Sequence, residues 1–210
     1  MTTVAHTLAA LATGAALTFT GLAAQAQAQE GPWLVRLRAV HIDSANGGST
    51  TPNLALSISN KTIPEVDISY FFTPNIAAEL VLTYPQKHTI YSAGSEIGSL
   101  KHLPPTLSAQ YHFNPTGSIR PYVGAGVNYT NFSDVRFVAA VDTALHPSIK
   151  NNSWGWSVQA GVDFEVAKNL YLNVDVKKVQ IGTKVYAAGA EIGDFKVDPI
   201  LFGVGLGMRF

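Results

Sequence analysis

The 210-residue chain has no cysteine and few charges, and no long apolar run lies beyond its N-terminal region. The absence of cysteine excludes disulfides, thiolate metal sites and a cysteine nucleophile. Only 13% of the residues are charged and the formal net charge is zero, so the chain lacks the basic face that nucleic-acid binding requires. Beyond the N-terminal region no segment reaches the 18 or more apolar residues of a transmembrane helix. At 47% hydrophobic residues, the composition is nevertheless too apolar for a disordered chain.

The N-terminal region has the pattern of an export signal. Residues 8–24 form an apolar run rich in alanine and leucine, and small residues alternate with glutamine from Ala24 to Ala28. This ending predicts a signal peptide over residues 1–28, cleaved after Ala26 or Ala28, and a mature domain over residues 29–210. The segment lacks the lysine or arginine that usually precedes such a run. The alternative is therefore an N-terminal helix that the mature protein keeps.

Residues 199–210 have the clearest strand pattern in the chain. Every second side chain is large and apolar, and most of the side chains between them are glycines, with Arg209 near the end. Side chains of a strand alternate between its two faces. An apolar face toward lipid and a small face toward a narrow interior are typical of a transmembrane β-barrel strand. An edge strand of a soluble sandwich is the alternative. The apolar positions are Ile200, Phe202, Val204, Leu206, Met208 and Phe210.

Eight segments alternate in this way, and short and long connections take turns between them. Because only helices and closed barrels can span lipid, the pattern predicts an all-β fold, an eight-stranded antiparallel up-and-down transmembrane β-barrel. The short connections would be periplasmic turns and the long ones extracellular loops. In the seventh segment the pattern changes phase near Lys177, which predicts a β-bulge. The segments are 33–42, 65–72, 76–84, 105–113, 119–132, 154–165, 170–185 and 199–210.

Charged residues fall mainly on the predicted inner face. Positive and negative side chains are nearly equal in number there, so they can pair in an interior too narrow for much water. We therefore expect ion pairs to plug the lumen. A catalytic acid–base pair is the alternative role for some of these charges. The predicted plug residues are Arg36, Arg38, Glu65, Asp67, Glu79, Arg120, Asp163, Glu165, Asp175, Lys177 and Arg209.

Three of the segments also carry motifs of a known family. Residues 102–107 with 110–113 resemble the fourth strand of the outer membrane protein W (OmpW) family, residues 120–130 its fifth, and residues 153–155 with 159–163 its sixth. The resemblance implies an outer-membrane barrel of a Gram-negative bacterium that gives small hydrophobic molecules a route inward. In this family, which includes alkane-uptake proteins, apolar side chains line the upper barrel, the channel is blocked toward the periplasm, and cargo is thought to leave sideways.

The resemblance directs attention to apolar and proline residues near the loops. Leu54, Leu56 and Ile58 form an apolar stripe in the first long loop and, with Trp154, are the candidate channel lining. Pro104 and Pro105 are the candidate lateral gate, because proline cannot donate a hydrogen bond to a neighbouring strand. Simple loop packing and an ordinary strand start are the alternatives.

We therefore expect passive uptake of small hydrophobic molecules with lateral release into outer-membrane lipid. A closed barrel has no free edge, so a monomer is expected. The scattered histidines do not have metal-ligand spacing, so neither a metal nor a cofactor is expected. Two other functions remain open: a barrel enzyme, either a rim hydrolase or a lipid acyltransferase that could use Asp142, His146 and Ser148, and a surface receptor or adhesin.

Overall fold

The computed structural model describes residues 31–210. The predicted signal peptide, residues 1–28 with cleavage after Ala26 or Ala28, lies outside this range. One helix, α1 (Ala139–Leu145), accompanies fifteen strands within the described residues. The strands are β1 (Trp33–Asp43), β2 (Gly47–Thr50), β3 (Leu56–Ile58), β4 (Lys61–Phe71), β5 (Ile76–Leu82), β6 (Gln86–Ser92), β7 (Ser95–Leu103), β8 (Thr106–His112), β9 (Ile119–Phe137), β10 (Pro147–Ile149), β11 (Asn152–Ala167), β12 (Leu170–Val179), β13 (Gly182–Ala187), β14 (Ala190–Lys196) and β15 (Ile200–Arg209).

Eight of these strands close into an antiparallel barrel within residues 31–210, as the sequence predicts. The ring runs β1–β4–β5–β8–β9–β11–β12–β15, and β15 pairs with β1 to close it. At one end, connections of two to six residues join β4 to β5, β8 to β9, and β11 to β12. At the other end lie four long connections that contain the remaining strands and the helix. No helix among residues 31–210 is long and apolar enough to cross a membrane.

The two faces of the barrel wall follow the alternation in the sequence. In β1, Leu37 is 41% exposed, whereas its neighbours Arg36 and Arg38 are buried in the lumen. The outer face is a belt of exposed apolar side chains contributed by all the barrel strands. Aromatic pairs lie near both ends of this belt: Trp33 contacts Tyr70 at the short-turn end, and Tyr129 contacts Trp154 at the long-loop end. This arrangement suits a wall surrounded by lipid.

The predicted bulge near Lys177 is wrong. β12 pairs without a register shift with β15 through Lys178 and with β11 through Val179, and both Lys177 and Val179 face inward. The hydrophobic pattern changes phase because the interior changes from polar to apolar at this height, while the backbone continues unchanged. The β11–β12 ladder has its irregularity elsewhere, between Glu165 and Ala167.

The long connections build two extensions above the barrel. β7 pairs along the upper half of β9, β6 pairs with β7 and β3 pairs with β6, so these three strands continue the wall. β10, β13, β14 and β2 form a separate four-stranded sheet. Apolar side chains from both extensions meet in one cluster, the apolar cap, above the polar lumen. Its buried members are Ile58, Ile90, Leu100, Phe132, Val179, Ile181, Val185, Phe195 and Val197.

Candidate functional site

Arg36 lies at the centre of the ion-pair network in the lumen. Its guanidinium contacts Asp163 at 2.7 Å, Asp67 at 3.0 Å and Glu79 at 3.5 Å. All four side chains are almost completely shielded from solvent. Buried arginine is tolerated in such a place because the planar guanidinium can donate to several carboxylates at once. β1, β4, β5 and β11 each contribute one member, so the network ties four wall strands together.

A second layer of the network surrounds Arg38 and Glu79. Arg38 contacts Glu65 at 2.6 Å, Asp67 at 3.1 Å and Asp175 at 3.5 Å. Glu79 accepts hydrogen bonds from Lys177 at 3.2 Å and from the amides of Gln110 and Gln159 at 2.8 and 3.1 Å. These charges fill the lumen with paired side chains.

The short-turn end of the lumen is closed by a further group. Arg120 pairs with Glu165 at 3.3 Å, and its guanidinium lies 4.7 Å from the centre of the Tyr171 ring. Arg209 lies 4.0 Å from the centre of the Phe71 ring and donates to the Gly31 carbonyl oxygen at 2.9 Å. All eleven residues predicted as plug charges therefore lie along the lumen, and ten are buried while Glu165 is partly exposed.

An apolar pocket of about 100 Å³ lies among the long loops, at the outer side of the apolar cap. Leu54, Leu56 and Ile58 line it, so the structure brings three of the four predicted lining residues together. Leu145 of α1, 39% exposed, lies at its rim. Trp154 is not among the lining residues: its side chain is 73% exposed on the outer face, with its ring 4.9 Å from that of Tyr129.

The barrel wall is interrupted at Pro104 and Pro105. The β5–β8 ladder ends at the pair Val81–Thr106, and pairing between the same two chain segments resumes only at Gln86–His102 in the β6–β7 hairpin. Residues 82–85 and 103–105 face each other across this interval without ladder pairs. On the side that faces β9, the segment remains paired: the Pro105 carbonyl oxygen accepts a hydrogen bond from the Tyr129 amide at 3.1 Å. The interruption therefore lies between the third and fourth strands of the ring.

A second, smaller cavity of about 30 Å³ lies between the lumen and this interruption. Thr83 and Pro104 line it on the wall side, and Glu65 and Lys177 line it on the side of the charge network. Ile181 belongs both to this cavity and to the apolar cap. The cap thus separates the apolar pocket above from the mixed polar and apolar cavity below.

Sequence reasoning missed a polar cluster in the β6–β7 hairpin. It treated residues 86–104 as a polar loop, yet Gln86, His88 and His102 all face inward and are buried, and the two imidazoles stack at 4.5 Å. Burial lowers the pKa of His102 to about 3 and lowers the pKa of His88, so both rings are neutral at pH 7. The positive charge of Lys61 lowers both pKa values further. Alternation of Gln86, His88 and Ile90 was the signal in the sequence.

The alternative catalytic residues lie on the outer surface. Asp142, His146 and Ser148 are all exposed, and among the described residues no side-chain hydrogen bond joins them. The contact between two of them is a backbone one, from the His146 amide to the Asp142 carbonyl oxygen. Residues 31–210 also contain no group of three or more metal-ligating side chains.

Comparison with known proteins gives a family. The model of the OmpW family matches residues 29–210. The chain is 39% identical over 187 residues to the outer-membrane protein y4mB of Sinorhizobium fredii, and the alignment covers 85% of this chain and 80% of that protein. It is 35% identical over 196 residues to outer membrane protein W of Vibrio cholerae, covering 87% and 90%. A weaker relative, 24% identical over 202 residues and covering 90% and 93%, is the dibenzothiophene metabolism operon protein PahQ of Pseudomonas aeruginosa.

Solved structures give the same barrel. The outer membrane protein OprG of Pseudomonas aeruginosa matches with a TM-score of 0.76 over 88% of this chain and 98% of that one, and at 24% identity this shows the fold. Outer membrane protein W of E. coli matches with a TM-score of 0.61 at 32% identity, covering 87% and 99%. The barrel lies in the outer membrane of a Gram-negative bacterium, with short turns toward the periplasm and long loops outside. The chain belongs to the OmpW family.

Proposed function

We propose that this barrel takes up small hydrophobic molecules passively and releases them sideways into the outer membrane. One observation carries the proposal: an apolar pocket lies among the extracellular loops, and the apolar cap separates it from a lumen filled with paired charges. A solute would enter among Leu54, Leu56 and Ile58. It would then pass the apolar cap and leave through the interruption at Pro104 and Pro105.

The charge network makes a straight passage to the periplasm unfavourable for an apolar solute. Such a solute would have to separate buried ion pairs, and breaking one buried pair typically costs about 3–5 kcal/mol. Arg36 alone contacts three carboxylates. The network therefore acts as a plug, which is the role that the sequence predicts for these residues.

The sideways path has a favourable end state. Moving an apolar chain from water into hydrocarbon releases roughly 0.8 kcal/mol per CH₂ group, so a ten-carbon alkane gains on the order of 8 kcal/mol. The small cavity lined by Thr83 and Pro104 supports an exit at the ladder interruption. The apolar pocket is smaller than the roughly 150 Å³ that suffices for benzene, so a solute would occupy it segment by segment or widen it by moving the loops.

The comparisons and the ring closure support the remaining parts of the proposal. PahQ is named for an operon of dibenzothiophene metabolism, and dibenzothiophene is an apolar aromatic compound. The relatives are named as outer-membrane proteins rather than as enzymes, and we propose that this chain too is a conduit without catalysis. Because β15 pairs with β1, the ring offers no free edge, which supports a monomer.

A charge in the pocket tests the entry path. Leu56→Asp places a carboxylate among apolar lining residues and should slow uptake of a decane tracer about tenfold, because burying an unpaired charge is unfavourable. Ala55→Asp is the matched control. Ala55 is exposed, and its positive φ of 43° is one that aspartate tolerates. Equal uptake by the wild type and Leu56→Asp, with both variants folded, would count against this path.

A further inference from the structure

Gln86, His88 and His102 form a compact polar cluster between the two cavities. Gln86 and His102 are direct partners in the β6–β7 ladder, and His88 pairs with Leu100 two residue pairs further along. The imidazole rings of His88 and His102 are stacked, with an interplanar angle of 13°. All three side chains are at most 2% exposed. The inner face of this hairpin therefore changes from polar to apolar over two residue pairs.

Each of the three side chains has a polar atom without a hydrogen-bond partner among the described residues. The Gln86 amide donates to the Tyr84 carbonyl oxygen at 2.9 Å, and its Oε1 has no partner. The His88 Nδ1–H donates to the Ser59 carbonyl oxygen at 2.8 Å, which leaves Nε2 as an acceptor without a partner. Nδ1 of His102 is likewise without a partner. Buried polar atoms of this kind normally find partners, and a polar group of a bound molecule could supply them in this cluster.

The cluster faces the place where a solute would leave the barrel. Gln86 and His102 line the small cavity together with Thr83 and Pro104, which border the ladder interruption. Ile90 and Leu100 continue the hairpin upward into the apolar cap. When the polar end of a molecule lies in this cavity, its apolar chain can therefore lie in the ladder interruption or in the apolar cap.

We propose that Gln86, His88 and His102 form a subsite for a hydroxyl group, so that the preferred solutes are neutral molecules with an apolar chain and one hydroxyl, such as medium-chain primary alcohols. This inference rests on the proposed function and names its substrate class. A hydroxyl can donate to Gln86 Oε1 or His88 Nε2, and it can also accept from a ring N–H of His102. An alkane leaves all three atoms unpaired.

A carboxylate fits the subsite poorly. It can only accept hydrogen bonds, and it would face the acceptor on Gln86 and the Glu65 carboxylate, both of which line the cavity. Lys177 also lines the cavity, but its ammonium is engaged by Glu79 at 3.2 Å. The subsite therefore distinguishes an alcohol from the acid of the same chain length.

Histidine nitrogen resonances report directly on the subsite. The wild-type barrel, labelled with ¹⁵N-histidine and placed in phosphatidylcholine nanodiscs, is titrated with 1-decanol, decane or decanoate. We expect 1-decanol to shift the ring resonances of His88 and His102, and decane and decanoate to leave them unchanged. His41, which is exposed and contacts Thr62, is the internal control. Unmoved resonances with 1-decanol, or equal shifts with decanoate, would overturn the inference.

Uptake by cells separates this inference from the proposed function. His102→Phe preserves a flat ring beside His88 and removes the nitrogens, so it should lower the ratio of 1-decanol to decane uptake about fivefold. An unchanged ratio in a folded variant would overturn the subsite while leaving the channel intact. If wild-type cells took up neither tracer faster than cells without the protein, the proposed function would fail instead, whatever the resonances showed.

Discussion

Replacing Glu79 by glutamine is the sharpest test of the lumen network. Among residues 31–210, Glu79 is the carboxylate that contacts Arg36, Arg38 and Lys177 together, at 3.5, 4.0 and 3.2 Å. The two arginines keep other carboxylate partners when its charge is removed. The Lys177 ammonium is left without the carboxylate that it contacts, and it is 3% exposed.

The magnitudes follow from these contacts. Removing one partner of a buried pair costs about 3–5 kcal/mol, and we expect about 3 kcal/mol for Glu79→Gln because the arginines remain paired. Lys177→Met should cost only about 1 kcal/mol, since Glu79 keeps two arginines and two amide donors. The double variant should also cost about 1 kcal/mol, because no charge is then left without a partner. The coupling energy between the two positions is thus expected to be about 3 kcal/mol.

Urea-induced unfolding in phosphatidylcholine vesicles, followed by tryptophan fluorescence, measures the free energy of unfolding of the wild type, the two single variants and the double variant. Lys101→Met is the control, because Lys101 and Asp134 form an exposed pair at 2.7 Å that should contribute less than about 1 kcal/mol. Additive effects of Glu79→Gln and Lys177→Met would refute the reasoning. So would a larger loss for the lysine than for the glutamate.

Three further predictions concern the wall, the hairpin and the lumen. Pro104→Val supplies an amide donor at the ladder interruption and should slow decane uptake several-fold in transport assays; unchanged uptake would exclude an exit there. The pKa of His102 is about 6.5 in the unfolded chain and about 3 in the folded one. The free energy of unfolding should therefore fall as the pH is lowered from about 6.5 to about 3, by up to about 1.4 kcal/mol per pH unit. His102→Phe should weaken this pH dependence. Gly161→Ala places a methyl group against the buried Tyr122 ring and should cost about 2 kcal/mol, whereas Gly182→Ala makes only an ordinary contact at 3.4 Å; equal losses would contradict this assignment.

Much of the barrel could be predicted from the sequence because a strand's period of two is visible residue by residue. Arg36 and Arg38 lie on the inner face because Leu37 between them faces outward. Which carboxylate each arginine contacts could not be predicted, because the partners come from β4, β5, β11 and β12 and depend on strand register around a closed ring. A periodic pattern fixes the face of a strand but not its register.

The upper part of the molecule was harder to predict because its interior changes character. Val179 faces inward like Lys177 but packs into the apolar cap, so a sequence pattern that equates apolar with outward fails there. The long connections were predicted only as extracellular loops, whereas residues 86–103 form a hairpin whose inner face carries His88 and His102. The stripe from Leu54 to Ile58 was visible, but the pocket also needs α1 and β13, which are distant in sequence.

The most direct measurement is uptake of a decane tracer by cells that lack this protein, compared with the same cells after it is restored. A hydrophilic sugar of similar size serves as the control solute. A hydrophobic channel with lateral release predicts faster entry of decane and no change for the sugar. Equal entry of decane with and without the protein would contradict the proposed uptake, and faster entry of both solutes would contradict a lumen plugged by ion pairs.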